Sequence, residues 1–394
     1  MKTLRRAAEI RDLRRLARRR LPHAIFEFID GGAGREITLR ANEDDFARIG
    51  LSPRVGVDVA TRRTRRDIVG FDSALPVMLA PTGLAGLYWP QGEQAAARAA
   101  RRAGVPFCLS TNSVASIEEV SAAATGADLW FQYYFLKDEG LTDRMLARAR
   151  AHGYRVLCIT LDLPVQGRRH RDVRNAFVVP PKVTLPTVLD ALRRPSWVAG
   201  YLRHGVSFGN FETHQLGGGF STIAQHIASL CDAGADWETV RRIAEKWGGP
   251  WVVKGVLHPE DARIAVGLGA SAVVVSNHGG RQLDGVPSAI SALPAIAAAV
   301  EGRAQVLLDG GVRRGTDVLK ALALGADACM IGRAFLWGLA AAGEAGVDKT
   351  LALLGDEIDN ALALLGVPDV AAIGPQILTP GGAPDFSAKM RDPA

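Results

Sequence analysis

In the stretch "VVVSNHGGRQLDG" (273–285), a histidine and an arginine stand three residues apart at the end of an apolar run, with two glycines between them. An imidazole titrates near neutrality and can accept a proton, while a guanidinium clamps a carboxylate in bidentate fashion. The glycines allow a sharp turn after His278, so that Arg281 can fold back towards the same space. This pairing suits a carboxylate substrate that gives up a proton close by. Asp162, which ends "VLCITLD" (156–162), can orient the imidazole and stabilise its cation, and Lys254 ends "PWVVKG" (250–255). No second histidine or carboxylate stands at ligand spacing around His278, so no metal is expected there.

A second cluster lies near the end of the chain. "LLDGGVRRGTD" (307–317) and "MIGRA" (330–334) bring Asp309, Gly310, Gly311, Arg313, Gly332 and Arg333 onto two successive loops. Glycines let backbone N–H groups approach an anion closely, and arginine suits phosphate. A phosphate site is the functional reading; tight turns with surface arginines are the bland one.

These residues need elements to position them. Eight apolar runs recur along the chain: 75–82, 105–111, 129–134, 156–162, 250–255, 271–277, 305–311 and 327–333. Runs of this length suit parallel strands buried on both faces. Helical stretches with recognisable ends separate them. Ser116 and Glu119 form a capping box, Pro259 suits a first helical position, and Gly104, Gly126, Gly153, Gly269 and Gly325 suit left-handed stops. The pattern predicts an α/β fold, a (β/α)8 TIM barrel, with a helical N-terminal leader (1–70), the barrel over 71–333 and C-terminal helices over 334–394. An open doubly wound sheet is the alternative, but its G-x-G-x-x-G fingerprint is missing. The interval between the fourth and fifth strands is about three times the usual one, which predicts an insertion over roughly 164–249. In a barrel the carboxyl ends of the strands converge on one mouth. Read that way, Pro81, Thr82, Ser110, Gln132, Tyr134, Thr160, Asp162, Lys254, Ser276 and His278 meet the phosphate loops.

The 394 residues carry a net charge of +6, and residues 1–66 alone hold 17 Lys/Arg against 9 Asp/Glu. The basicity therefore belongs to the leader, read first as a solvated helix face and secondarily as a membrane contact. Nucleic acid is not an expected partner, because the basic stretch "LRRAAEIRDLRRLARRR" (4–20) lacks stacking aromatics. The four cysteines have no metal spacing and read as reduced thiols in a cytoplasmic setting. The first part of the insertion, 164–215, has eight Lys/Arg against three Asp/Glu and carries Trp197, Tyr201, Phe208 and Phe211. A lid, an oligomer contact and a membrane-surface anchor all suit that composition.

"SNHGGRQLDG", with "PTGLAG", "WFQYY", "ITLDLPVQGRR", "VKGV" and "DGGVRRGTDVLKALALGAD", resembles the FMN-dependent L-2-hydroxy acid oxidase and dehydrogenase family. That family includes glycolate oxidase, L-lactate dehydrogenase and mandelate dehydrogenase, and "PTGLAGLYWPQGE" and "RHGVSFGNF" look closest to the mandelate branch. The resemblance implies FMN lined by Pro81, Thr82 and Gly83, with Ser110, Gln132 and Thr160 hydrogen-bonded to its ring system and Ser276 against it. Lys254 would stand by the pyrimidine end, Asp309 by the ribityl chain, and Gly310, Gly311, Arg313, Gly332 and Arg333 at the phosphate. Arg169 and Arg281 would bind the substrate carboxylate, Tyr134 the hydroxyl region, and His278 with Asp162 the reacting proton. The implied reaction is oxidation of an L-2-hydroxy acid to the 2-oxo acid, with electrons passed to a quinone, another carrier or oxygen. A non-redox FMN barrel, similar to isopentenyl diphosphate isomerase, is the alternative. A homo-oligomer, a tetramer, is expected, in the cytoplasm or peripheral on the inner membrane face. Two positions depart from the family pattern. Phe28 in "FEF" replaces a tyrosine that would touch the substrate carboxylate, and Asn112 replaces the tryptophan of glycolate oxidase. Phe28 implies weaker carboxylate binding or a preference for a more apolar acid, and Asn112 a roomier or more polar pocket, so larger acids, aryl or longer alkyl, are expected over glycolate. Gly83, where the oxidases often carry alanine, leans towards an acceptor other than oxygen.

Overall fold

The computed structural model describes residues 2–176, 185–206, 208–211 and 229–379. Eight strands run Val77–Leu79 (β3), Phe107–Ser110 (β4), Leu129–Tyr133 (β5), Tyr154–Thr160 (β6), Trp251–Val256 (β7), Ala272–Val275 (β8), Gln305–Asp309 (β9) and Ala328–Ile331 (β10). They close in sequence order, with β10 pairing back onto β3, and every pairing is parallel. The predicted TIM barrel is the fold observed.

The continuous apolar runs are needed because each strand is covered on both sides. Side chains alternate between the two faces of a strand. Met78, Cys108, Trp130, Cys158, Val252, Val274, Leu307 and Met330 fill the interior as one cluster. Their neighbours, such as Leu79, Leu109, Phe131, Ile159 and Val253, face the surrounding helices. A short antiparallel hairpin, Arg66–Ile68 (β1) and Phe71–Ser73 (β2), precedes the barrel, and Ile68 joins the interior cluster as a plug.

The helix ends follow the expected chemistry. Ser116 and Glu119 exchange the two hydrogen bonds of a capping box, and Pro259 opens the helix Pro259–Gly267. The basic leader forms a helix over Ile10–Arg20 and is not solvated all round. Ile10, Leu13 and Ala17 are buried on one face, which packs on the helix Arg333–Ala342, while Arg11, Arg15, Arg18 and Arg19 stay exposed. Cys108, Cys158 and Cys329 are buried and Cys231 is half-buried, all as free thiols.

The insertion is shorter than its predicted bounds. The helix Trp237–Trp247 packs on β6 and on the helix Glu139–Ala151 as an ordinary barrel helix, because Val240, Ile243 and Trp247 form its buried stripe. Of the four aromatics assigned to a lid or anchor, Phe208 and Phe211 instead belong to the core. Trp197 is partly buried, its indole N–H donating to the Leu87 carbonyl at 2.9 Å, and only Tyr201 is exposed. The parts of the insertion at 177–184, 207 and 212–228, and the final residues 380–394, lie outside the described residues.

Candidate active site

The end of β6 and the loop after β8 meet at one contact. His278 Nδ1 lies 2.8 Å from Asp162 Oδ1. Burial pushes the Asp162 carboxyl up, but the adjacent His278 and Lys254 outweigh it, and the net direction is down. Asp162 therefore stays ionised. With Nδ1–H donated to it, Nε2 carries the lone pair, and that atom lies 3.5 Å from the Tyr134 hydroxyl. The Tyr134 and His278 rings stack with centroids 6.5 Å apart. Burial holds the Tyr134 phenol well above its ordinary value, so it acts as a neutral donor.

The turn that aims His278 begins at the histidine itself. His278, Gly279 and Gly280 are all left-handed, with φ of 56°, 63° and 71°. A non-glycine residue in this region is uncommon and must be held by its surroundings. Asn277 holds it. Its Oδ1 accepts from the Gly280 amide at 3.0 Å, and it forms a reciprocal amide pair with Asn42 at 2.9 and 2.8 Å. A Cβ on Gly279 would come within 2.5 Å of Arg333 Nη1, which explains the glycine there.

The cations gather in two ways. Lys254 is fully buried, 2.6 Å from Asp309 Oδ2 and 2.9 Å from Ser276 Oγ. Burial alone would depress it, but Asp309 and Asp162 hold it above the ordinary lysine value, so it is a fixed positive charge. Arg281 and Arg333 differ. Among the described residues neither has a carboxylate within ion-pair distance. Arg281 donates to the carbonyls of Phe28 (2.6 Å) and Gly31 (3.1 Å), and Arg333 to those of Ile29, Gly279 and Gly31. Burial and neighbouring guanidiniums push both below their ordinary values, Arg281 through Arg169 and Arg333, Arg333 through Arg313. Guanidinium stays charged in proteins, so this is a pocket of uncompensated positive charge that an anion would relieve. Arg169 is paired with Asp172 at 3.2 Å, and Arg313 with Glu43 at 3.0 Å.

The orphaned polar atoms fit FMN. Gln132 Nε2, Thr160 Oγ1, Asp309 Oδ1 and Arg313 Nε are buried without a hydrogen-bond partner. A buried polar group left unpaired costs about 1–3 kcal/mol. They stand on β5, β6, β9 and the loop after β9, all at the same end of the barrel, beside Ser110, whose hydroxyl lies 3.1 Å from Gln132 Oε1. A flavin ring edge presents the carbonyl and N–H groups that an amide and a hydroxyl can meet. Pro81, Thr82 and Gly83 follow β3 and are half-buried, and a Cβ on Gly332 would lie 3.8 Å from Thr82 Cγ2, in ordinary contact. Gly310 and Gly311 are both left-handed, and a Cβ on Gly311 would lie 1.8 Å from the Asn42 carbonyl oxygen. No side chain can be added there without moving the leader off the loop after β9.

The two departures from the family pattern have physical surroundings. The Arg169 and Arg281 guanidinium carbons both lie over the Phe28 ring, 5.1 and 5.0 Å from its centroid. Asn112 is half-buried, and its carbonyl would stand 3.3 Å from a Cβ on Gly83. The absence of a side chain at 83 thus matches the close approach of this loop. Phe28→Tyr is expected to lower KM for a hydroxy acid a fewfold to about tenfold with kcat nearly unchanged, since a neutral hydrogen bond contributes about 0.5–1.5 kcal/mol net. An unchanged or raised KM in steady-state kinetics would show that this ring does not face the carboxylate.

Four positions escaped the sequence reading: Asn42, Glu43, Asp172 and Asn277. All are partners brought in by the fold, and only Asn277, adjacent to His278, carried a local signal.

Residues 17–380 match the family model described as FMN-dependent dehydrogenase. The chain is 48% identical to an L-lactate dehydrogenase of Caulobacter vibrioides over 371 residues, covering 93% of this chain and 96% of the relative. It is 45% identical to an L-lactate dehydrogenase of Chromohalobacter salexigens, covering 94% and 95%. Among solved structures it superposes on the monotopic membrane protein (S)-mandelate dehydrogenase with a TM-score of 0.91, at 39% identity, covering 95% of this chain and 99% of that one. A mandelate oxidase in complex with (S)-2-phenylpropionate gives 0.80, at 40% identity, covering 95% and 98%. The buried cations, the orphaned acceptors and donors at the barrel mouth and this match over nearly the whole length agree: the chain belongs to the FMN-dependent dehydrogenase family.

Proposed function

We propose that the protein oxidises an L-2-hydroxy acid, lactate- or mandelate-like, to the 2-oxo acid. The observation that carries this reading is the Asp162–His278 contact, which leaves a basic imidazole nitrogen beside Tyr134, together with the unpaired charge of Arg281. Arg281 and Arg169 bind the substrate carboxylate. Tyr134 donates to the hydroxyl oxygen and fixes which face of the α-carbon is presented. His278 Nε2 takes the proton released as the alcohol becomes a ketone, and Asp162 stabilises the imidazolium that results. FMN, when bound, supplies the two-electron acceptor for this oxidation. Gln132, Thr160 and Ser110 would hold its ring edge, and Ser276, Pro81, Thr82 and Gly83 would lie along it. Asp309 would meet the ribityl chain, and Gly310, Gly311, Arg313, Gly332 and Arg333 the phosphate. Lys254, a fixed buried cation, would favour negative charge on the reduced ring. An anaerobic panel of L- and D-2-hydroxy acids, scored by flavin bleaching, tests the reading. Bleaching by L-mandelate or L-lactate, with glycolate slower and the D-acids inert, is expected; a panel in which no 2-hydroxy acid bleaches the flavin contradicts it.

The outer surface bears on the choice of acceptor. In the helix Leu185–Leu192, Leu185, Val188, Leu189 and Leu192 form an exposed apolar stripe, Leu202 adds to it, and Arg193, Arg194 and Arg203 rim it. An exposed apolar stripe with basic neighbours suits the interfacial plane of an anionic membrane. No helix among the described residues is long and apolar enough to cross one. We infer peripheral attachment through this segment, which favours a membrane quinone over oxygen as electron acceptor. Burying a leucine is worth about 1.5–3 kcal/mol. Replacing Leu185, Leu189 and Leu192 together by glutamate is thus expected to abolish co-sedimentation with anionic vesicles while leaving anaerobic flavin bleaching intact. Undiminished co-sedimentation would rule this stripe out as the anchor.

A further inference from the structure

Three of the four buried residues of the leader helix Ile37–Arg48 are polar: Thr38, Asn42 and Asp45. Buried polar side chains are uncommon, and each of these is spent on the loop after β8, which carries His278 and Arg281. Thr38 Oγ1 donates to the Val286 carbonyl at 3.1 Å and accepts from the Gly285 amide at 2.9 Å. Asp45 Oδ2 accepts from the Ser288 hydroxyl at 2.7 Å. These two hold the far part of the loop, beyond Asp284. Of the three, only Asn42 reaches the turn at the histidine.

That contact is an exchange between two carboxamides. Asn42 Nδ2 donates to Asn277 Oδ1 at 2.9 Å, and Asn277 Nδ2 donates to Asn42 Oδ1 at 2.8 Å. Backbone amides fix which end of each group is oxygen: Gly280 donates to Asn277 Oδ1 at 3.0 Å, and Ala289 to Asn42 Oδ1 at 3.2 Å. Asn277 also donates to the Pro287 carbonyl at 3.0 Å, so its amide is fully satisfied only with Asn42 in place. The partner must present a donor and an acceptor side by side, which a carboxylate cannot do. The turn needs this support, because His278 sits at φ 56°, a conformation that a residue with a side chain keeps only when its surroundings impose it. The Asn42 carbonyl oxygen also leaves no room for a side chain at Gly311, so the same residue sets the turn against the loop after β9. Arg281 is tied separately, to the Phe28 and Gly31 carbonyls. We propose that Asn42 is a positioning residue for the reaction. Through Asn277 it fixes the turn that aims His278 Nε2, while other contacts hold the carboxylate clamp. This role rests on the proposed oxidation of a 2-hydroxy acid.

The FMN-loaded full chain and its variants are mixed anaerobically with the 2-hydroxy acid that bleaches the parent fastest, over a range of concentrations. Misplacing a reacting group by about 1 Å costs about a hundredfold, so Asn42→Ala should lower the limiting rate of bleaching roughly ten- to hundredfold and move the half-saturating concentration by less than about threefold. In a His278→Ala background the same substitution should change the rate by less than about twofold, because the asparagine acts through the imidazole. Thr38→Val, which removes hydrogen bonds from the same helix to the far part of the loop, should keep the limiting rate within about threefold of the parent. If Asn42→Ala does not retain FMN, Asn42→Ser takes its place with the same expectation, since the shorter side chain cannot complete the exchange. A limiting rate within about threefold of the parent in the asparagine variant, a loss in the His278→Ala background as large as in the parent, or an equal loss in Thr38→Val would overturn the assignment. A parent that no 2-hydroxy acid bleaches would instead remove the reaction on which the role rests.

Discussion

His278→Ala is expected to slow anaerobic reduction of the bound flavin by about 10²–10⁴-fold, the usual contribution of a positioned general base. The loss should appear in kcat and in kcat/KM alike, because the imidazole acts as the proton leaves and adds little to ground-state binding. The flavin should remain bound, since the His278 side chain contacts Asp162 and Tyr134 and none of the residues proposed to hold the phosphate. Asp162→Asn should follow in the same direction but fall less far. The amide can still accept from Nδ1–H, yet it no longer stabilises the imidazolium with a negative charge. Stopped-flow mixing with L-mandelate under nitrogen gives the rate directly. Near-normal bleaching in His278→Ala would show that the proton leaves by another route.

Arg281→Met carries the second large effect, and its signature differs. Removing one partner of a close, desolvated charge pair costs about 2–5 kcal/mol, or roughly 30- to 5,000-fold in kcat/KM. Most of this should fall on KM, because the carboxylate is bound before and during the reaction. Arg281→Lys should recover only a part, since a lysine cannot make two parallel hydrogen bonds to a carboxylate. Losing an uncompensated buried cation favours the stability of the Arg281→Met variant. Against that, the guanidinium donates to the Phe28 and Gly31 carbonyls, and its removal takes away two of the hydrogen bonds that tie the leader to the loop after β8. A kcat/KM within threefold of the parent would place the carboxylate clamp elsewhere.

How much of this was legible in the sequence depends on the range of the interaction. The barrel was readable because each strand is buried on both faces and so wrote an unbroken apolar run. The helix ends were readable because Ser116, Glu119 and Pro259 act within one turn of themselves. Residues at strand ends were also readable, since topology alone sends them to one mouth. The insertion was misjudged for a related reason: Asp236 and Gly248 mark the ends of the helix Trp237–Trp247 locally, but its membership in the barrel rests on packing against β6. Phe208 and Phe211 misled in the same way, because an aromatic in a basic loop looks identical whether it faces water or a core. The partners that tune the site were the least legible. Asn42 is 235 residues from Asn277, and only the closed fold brings their amides together. The backbone carbonyls that receive Arg281 and Arg333 have no residue-type signature at all.

The central claim is spatial, and a crystal structure of the FMN-loaded enzyme with a bound, unreactive hydroxy acid analogue tests it most directly. The account predicts the analogue's carboxylate on the Arg281 guanidinium, its hydroxyl oxygen within hydrogen-bond reach of Tyr134 and His278 Nε2, and the flavin edge on Gln132 and Thr160. An analogue held with its carboxylate away from Arg281, or an imidazole turned from the flavin, would contradict it.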